Sequence, residues 1–176
     1  IASMNGDYWL AEFSFFFVAC LAGILIINFP RGLLFLGDGG AYLVGCVIAV
    51  LAILLAERNS NVSSFASLLI VSYPIYETLR SFVRRTIDKN TNFFTADDRH
   101  LHSVIFRFVT ALNIISKSNS NKLWLQNASA GMSCWLLPLI SSILAVFFQS
   151  NMPFLLICVL LIILFYEISF RMLNKS

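Results

Sequence analysis

Three clusters in this sequence combine residue types and spacings that can do chemistry. The first is Asn28-Phe-Pro-Arg31-Gly-Leu-Leu-Phe-Leu-Gly37-Asp38-Gly39-Gly40, which sets one carboxylate among three glycines between two apolar runs. Glycines let a backbone come close to a ligand, and one carboxylate at a membrane face can hold a magnesium ion whose other ligands are water and substrate phosphates. The same Gly-Asp-Gly-Gly also suits a tight turn in which Asp38 caps the following helix. The second cluster is Asp97-Asp98-Arg99-His100-Leu101-His102: two acids, a cation and two imidazoles within six residues. Such a group can grip phosphates or position a leaving group. In an extended loop His100 and His102 point the same way and on a helix they diverge, and no third ligand stands near enough for a zinc site. The third is Glu77, Arg80, Arg84 and Arg85, where helical spacing puts Glu77, Arg80 and Arg84 on one face as an ion-pair row, with Arg84 or Arg85 as candidates for a phosphate or an anionic headgroup.

The elements that must position these clusters are apolar helices. Of 176 residues, 59% are hydrophobic and 12% charged, against about 25% charged in an ordinary globular domain. A bilayer core takes about 20 apolar residues as a helix, and five segments meet or approach that length: 9–29, 40–56, 65–82, 128–148 and 152–170. The expected fold is therefore all-α, a multi-pass transmembrane bundle of about five spans forming one membrane domain over 1–176. Pro74, Glu77 and Arg80 fall inside 65–82, so its lower half must face protein or water, and Pro74 is placed to kink it. If the five alternate across the bilayer, Arg58 is the only one of twelve Lys and Arg residues on its side, which makes the opposite side, with all three clusters, cytoplasmic.

Apolar residues at Leu101, Val104, Ile105, Phe108 and Leu112 predict an amphipathic helix over 100–117 that can lie along the interface. Cys20, Cys46, Cys134 and Cys158 sit inside apolar runs with no metal-ligand spacing and read as packing residues. A net charge of +3 gives no case for nucleic acid. The chain starts at Ile1 with no basic n-region and no cleavage site, which reads as a truncated chain.

Taken in order, the segment from Asn28 to Gly45, the helix Tyr73-Pro74-Ile75-Tyr76-Glu77-Thr78-Leu79, and the loop Ala96-Asp97-Asp98-Arg99-His100-Leu101-His102-Ser103 resemble the polyprenyl-phosphate sugar-1-phosphate transferases of glycosyltransferase family 4. These are the enzymes that initiate enterobacterial-antigen and O-antigen synthesis, with the phospho-MurNAc-pentapeptide translocase as a more distant relative. The likeness runs from about residue 21 to 108. The family's paired-aspartate and Asn-x-x-Asp-Gly motifs lie upstream of what is residue 1 here, and Ser103 stands where the commoner family form has another histidine.

The resemblance implies that Asp38 is the catalytic magnesium ligand, that His100, His102 and Arg99 bind the nucleotide sugar or its diphosphate, and that Asn28 and Arg31 belong to the same binding set. It implies a UDP-activated N-acetylhexosamine as donor, a polyprenyl phosphate lipid as acceptor and UMP as product. The setting would be a bacterial inner membrane with the site loops cytoplasmic, and the bundle is compatible with a homodimer. The residue-level alternative is a non-enzymatic transporter segment or assembly partner, in which Glu77 and Arg80 mark an intramembrane polar path.

Overall fold

A computed structural model describes residues 1–34, 36–87, 100–111 and 123–174. Among the described residues, a 3-10 turn at Ser3–Asn5 is followed by seven helices: α1 (Tyr8–Asn28), α2 (Gly37–Arg58), α3 (Ser64–Ile70), α4 (Ser72–Ile87), α5 (Leu101–Ala111), α6 (Leu123–Phe147) and α7 (Met152–Asn174). Among the described residues there is no strand. Four of the helices, α1, α2, α6 and α7, are long and apolar enough to cross a membrane. A helix of 21 residues spans about 31 Å, close to the hydrocarbon thickness.

Contacts at the connections fix how the helices run. Asn5 Nδ2 donates to Gln149 Oε1 at 2.9 Å, and the Ser63 amide donates to the Gln149 carbonyl at 2.8 Å. Asp7 accepts from Leu10 N at the start of α1 and from Arg58 Nε at 2.8 Å. The Arg58 guanidinium, through that hydrogen bond, holds the Asp7 carboxyl below the usual carboxylate range. Arg58 also lies over Trp9, 5.2 Å from its ring centre, an aromatic-cation pairing suited to a membrane interface. The N-terminus, the α2–α3 connection and the α6–α7 connection therefore meet at one end of the bundle. The α1–α2 loop and the C-terminal ends of α4 and α7 lie at the other, with Arg31, Arg84, Arg85 and Arg171.

The segment expected as a single span over 65–82 is instead two helices, α3 and α4, broken at Val71. Pro74 supplies the reason. It has no N–H to give the Ile70 carbonyl, and its ring crowds that carbonyl, so the helix cannot continue unbroken through this turn. Ser72 Oγ takes up the nearby Leu69 carbonyl at 2.7 Å. The break is tolerated because Ala66, Ser67, Leu69 and Ser72 are buried against neighbouring helices, away from lipid. Together α3 and α4 still carry the chain from one end of the bundle to the other, so five passages result from four unbroken spans and one broken one.

Burial is uneven. Only 6% of the apolar window of α1, and 6% of that of α2, is buried, against 28% for α6 and 33% for α7. The core lies where α3, α5, α6 and α7 meet, around Leu69, Leu101, Val104, Leu155 and Tyr166. The helix expected over 100–117 is present as α5 up to Ala111, and its apolar face, led by Leu101 and Val104, packs into this core. The remainder of that helix lies outside the described residues. All four cysteines are free; Cys134 and Cys158 are buried as expected, while Cys20 and Cys46 are exposed on the sparsely covered helices.

The expected ion-pair row on α4 is not the observed pairing. Arg80 Nε donates to Glu167 Oε1 of α7 at 2.6 Å, and Tyr76 donates its hydroxyl to the same oxygen at 2.9 Å. The Arg80 guanidinium lies 3.6 Å from the centre of the Phe170 ring. Arg171, one turn on, donates to Glu167 Oε2 at 3.4 Å. Glu167 is thus the knot that ties α4 to α7. The variant Glu167→Ala strands Arg80 in a partly buried position and is expected to cost about 1–3 kcal/mol, seen as a lower melting temperature in detergent; an unchanged melt would contradict this.

Candidate functional site

Asp38 sits in the first turn of α2. The loop before it is shaped by Asn28, whose Oδ1 accepts from Leu34 N at 3.3 Å and whose carbonyl accepts from Gly32 N at 2.6 Å. Gly37 has φ +71°, a left-handed backbone that strains other L residues, and it lets the chain enter α2 with Asp38 directly following. The capping alternative for Asp38 does not hold. Leu36 occupies the cap position, no side chain caps the helix, and Asp38 makes no hydrogen bond or ion pair among the described residues. Its carboxylate is exposed at the arginine-rich end of the bundle, as is Arg31. Asn28, expected as a substrate contact, is seen bracing the loop with its side-chain carbonyl.

The histidines come together by a route not among the sequence alternatives. His100 immediately precedes α5 and His102 lies in its first turn, and their rings stack with centroids 5.9 Å apart and planes 10° off parallel. The divergence expected on a helix is avoided because only one of the pair is inside it. His100 Nδ1 lies 3.0 Å from Glu77 Oε1, and the Leu101 amide donates to that oxygen at 2.9 Å. Glu77 therefore fastens the start of α5 to α4, a role that the spacing on α4 did not reveal. Ser103 Oγ lies 3.2 Å from His102 Nε2, so the serine at the departing position contacts the neighbouring ring. His102 is exposed, yet crowding of its ring by neighbouring atoms, and secondly the charge of His100, lower its pKa from the ordinary histidine value. Asp97, Asp98 and Arg99 lie outside the described residues.

Asp38 fits one ligand position of a magnesium ion: it is ionisable, exposed and unpaired. Among the described residues no three His, Cys, Asp or Glu side chains gather into a metal cluster, so Asp38, His100 and His102 are not one coordination sphere. An ion at Asp38 would take its remaining ligands from water and phosphate oxygens, the usual arrangement for magnesium.

A chain whose described residues are helical, with four unbroken membrane-length helices, its described arginines biased to one end and an exposed carboxylate loop at that end, is a multi-pass membrane protein. Residues 1–56 match the model of glycosyl transferase family 4. The undecaprenyl-phosphate alpha-N-acetylglucosaminyl 1-phosphate transferase of Thermotoga maritima is 32% identical over 87 residues, 49% of this chain and 28% of that protein. The probable undecaprenyl-phosphate N-acetylglucosaminyl 1-phosphate transferase of Bacillus subtilis is 26% identical over 109 residues, 61% of this chain and 30% of that protein. The chain is thus similar to glycosyl transferase family 4 over its first two membrane-length helices. The matched part spans under a third of the length of these curated relatives. No solved structure matches the chain.

Proposed function

We propose that the complete protein transfers N-acetylhexosamine 1-phosphate from a UDP-sugar to a polyprenyl phosphate and releases UMP, as the first step of a cell-envelope polysaccharide. The observation that carries this reading is that the Asp38 loop, lying within the family match, and the histidine pair anchored to α4 both occupy the half of the bundle toward its arginine-rich end. In the reaction a phosphate oxygen of the lipid attacks the β-phosphorus, the bond from that phosphorus to the bridging oxygen breaks, and UMP leaves with the oxygen. Little covalent chemistry falls to the protein; it must align two phosphates and offset their charge. Magnesium held at Asp38 would supply that charge neutralisation. His100 and His102 would contact the nucleotide sugar, and Arg31 and Arg99 would add cationic contacts to its diphosphate.

The same reading places the site loops at the cytoplasmic face of a bacterial inner membrane, because the nucleotide comes from the cytosol and because, among the described residues, Arg31, Arg84, Arg85 and Arg171 lie toward that end and Arg58 at the opposite one. In a protein freed of its native cysteines, an impermeant thiol reagent applied to intact cells is expected to label a cysteine at position 61 and to miss one at position 98. The reverse pattern would invert the topology and deny the site its substrate. Turnover tests the activity itself: purified complete protein should release UMP only when both a UDP-sugar and polyprenyl phosphate are present. Release of UDP in place of UMP would mean transfer of sugar without phosphate and would overturn the reading.

A further inference from the structure

We infer that Glu77 is a positioning residue for the transferase site, holding the His100 ring in one tautomer and one orientation; this rests on the function proposed above. The side chain of Glu77 is well shielded in the bundle, with 14% of its surface exposed, and one of its oxygens holds the start of α5. Its Oε1 meets both His100 Nδ1 and Leu101 N, while Oε2 is buried with no hydrogen-bond partner among the described residues. The Leu101 amide can only donate, so Oε1 is an acceptor there, and His100 donates to the same oxygen from Nδ1. Whatever His100 does toward a substrate it then does through Nε2. Glu77 is itself held from below and above on its own helix. Tyr76 precedes it and Arg80 follows within one turn, and both bind Glu167 of α7. A chain of contacts thus runs from α7 through α4 to the imidazole, so that a ring at the edge of the bundle takes its placement from the core.

A bare helix cap would also explain the Leu101 bond, so the test must separate the two roles. In the complete enzyme, Glu77→Ala is expected to lower kcat/KM for the UDP-sugar by about 10- to 100-fold, the range for losing the partner that orients a functional histidine. Glu77→Gln, whose carbonyl oxygen can accept from both donors, should recover most of that loss. The Glu77→Ala change should cost almost nothing further in a protein already carrying His100→Ala. An equal loss in both backgrounds would mean that Glu77 only caps α5 and would overturn the inference. Nitrogen-15 shifts of His100 in the labelled protein give a readout independent of turnover. Protonation at Nδ1 in the wild type, lost or mixed in Glu77→Ala, is the expected result, and an Nε2–H tautomer in the wild type would refute it. Should Glu77→Ala not fold, the wild-type and Glu77→Gln spectra still decide. A complete protein that turns over no UDP-sugar would defeat the proposed function while leaving the tautomer result to stand or fall separately.

Discussion

Asp38→Asn in the complete enzyme is expected to cut kcat about a thousandfold or more while leaving the protein folded and inserted. Asparagine keeps the shape and removes the charge. A metal's contribution to phosphoryl transfer is worth several kcal/mol, and each ~1.4 kcal/mol is a factor of ten in rate. The structural cost should be slight for reasons specific to this residue: Asp38 is exposed, does not cap α2 and has no hydrogen bond or ion pair among the described residues. All that the fold loses is a favourable charge near a helix N-terminus, about 0.3–1 kcal/mol. Melting temperature and turnover should therefore part company. Partial rescue by excess magnesium would support ligation, and a variant retaining more than about a tenth of the wild-type rate at limiting magnesium, a loss under ~1.4 kcal/mol, would remove Asp38 from the metal site.

His100→Ala is expected to have the next largest effect, a loss of about 100- to 1000-fold in kcat/KM, within the range for losing a positioned side chain that accepts a proton or hydrogen bond, here at Nε2. The expectation differs for its neighbour. Because crowding and the charge of His100 lower the His102 pKa, His102 is neutral at pH 7 and gains its proton only as pH falls to below the ordinary value of about 6.5. The sign for stability follows. The folded state binds that proton less readily than the unfolded one, so any contribution is complete above the unfolded pKa and is lost as pH drops below it through the lowered folded pKa. A neutral hydrogen-bonding side chain should then replace His102 tolerably: His102→Gln should stay within about tenfold of wild type at pH 7.5, since no charge is lost. A loss for His102→Gln as deep as that for His100→Ala would show that the two rings share one charged role.

Hydropathy alone located α1, α2, α6 and α7, because lipid demands long unbroken apolar runs and few other constraints act on them. The Pro74 kink was also legible, since a missing N–H acts locally, although its consequence as a full break between α3 and α4 depends on the burial of Leu69 and Ser72. The pairing of Arg80 was not legible. Spacing on α4 offered Glu77 three residues away, whereas the chosen partner, Glu167, lies 87 residues on in sequence. Glu167 stands as a single acid in an apolar run, beyond the stretch that resembles the family. The usable signal was there: an ionisable residue inside a membrane segment is costly unless partnered, and Arg171 follows four residues later. The histidine pair escaped because its geometry depends on where α5 begins, and helix boundaries are the part of a sequence reading with the weakest local signal.

The central claim is that a phosphorus atom, not only a sugar, moves from nucleotide to lipid at this site. Its most direct test is to supply the complete enzyme, in lipid nanodiscs with undecaprenyl phosphate, with UDP-N-acetylglucosamine carrying phosphorus-32 at the β position. The label is expected to pass into the organic phase with the lipid, leaving unlabelled UMP in water, and to stop doing so in Asp38→Asn. Label that stays in the aqueous phase as UDP while sugar reaches the lipid, or that never leaves the donor, would contradict the claim.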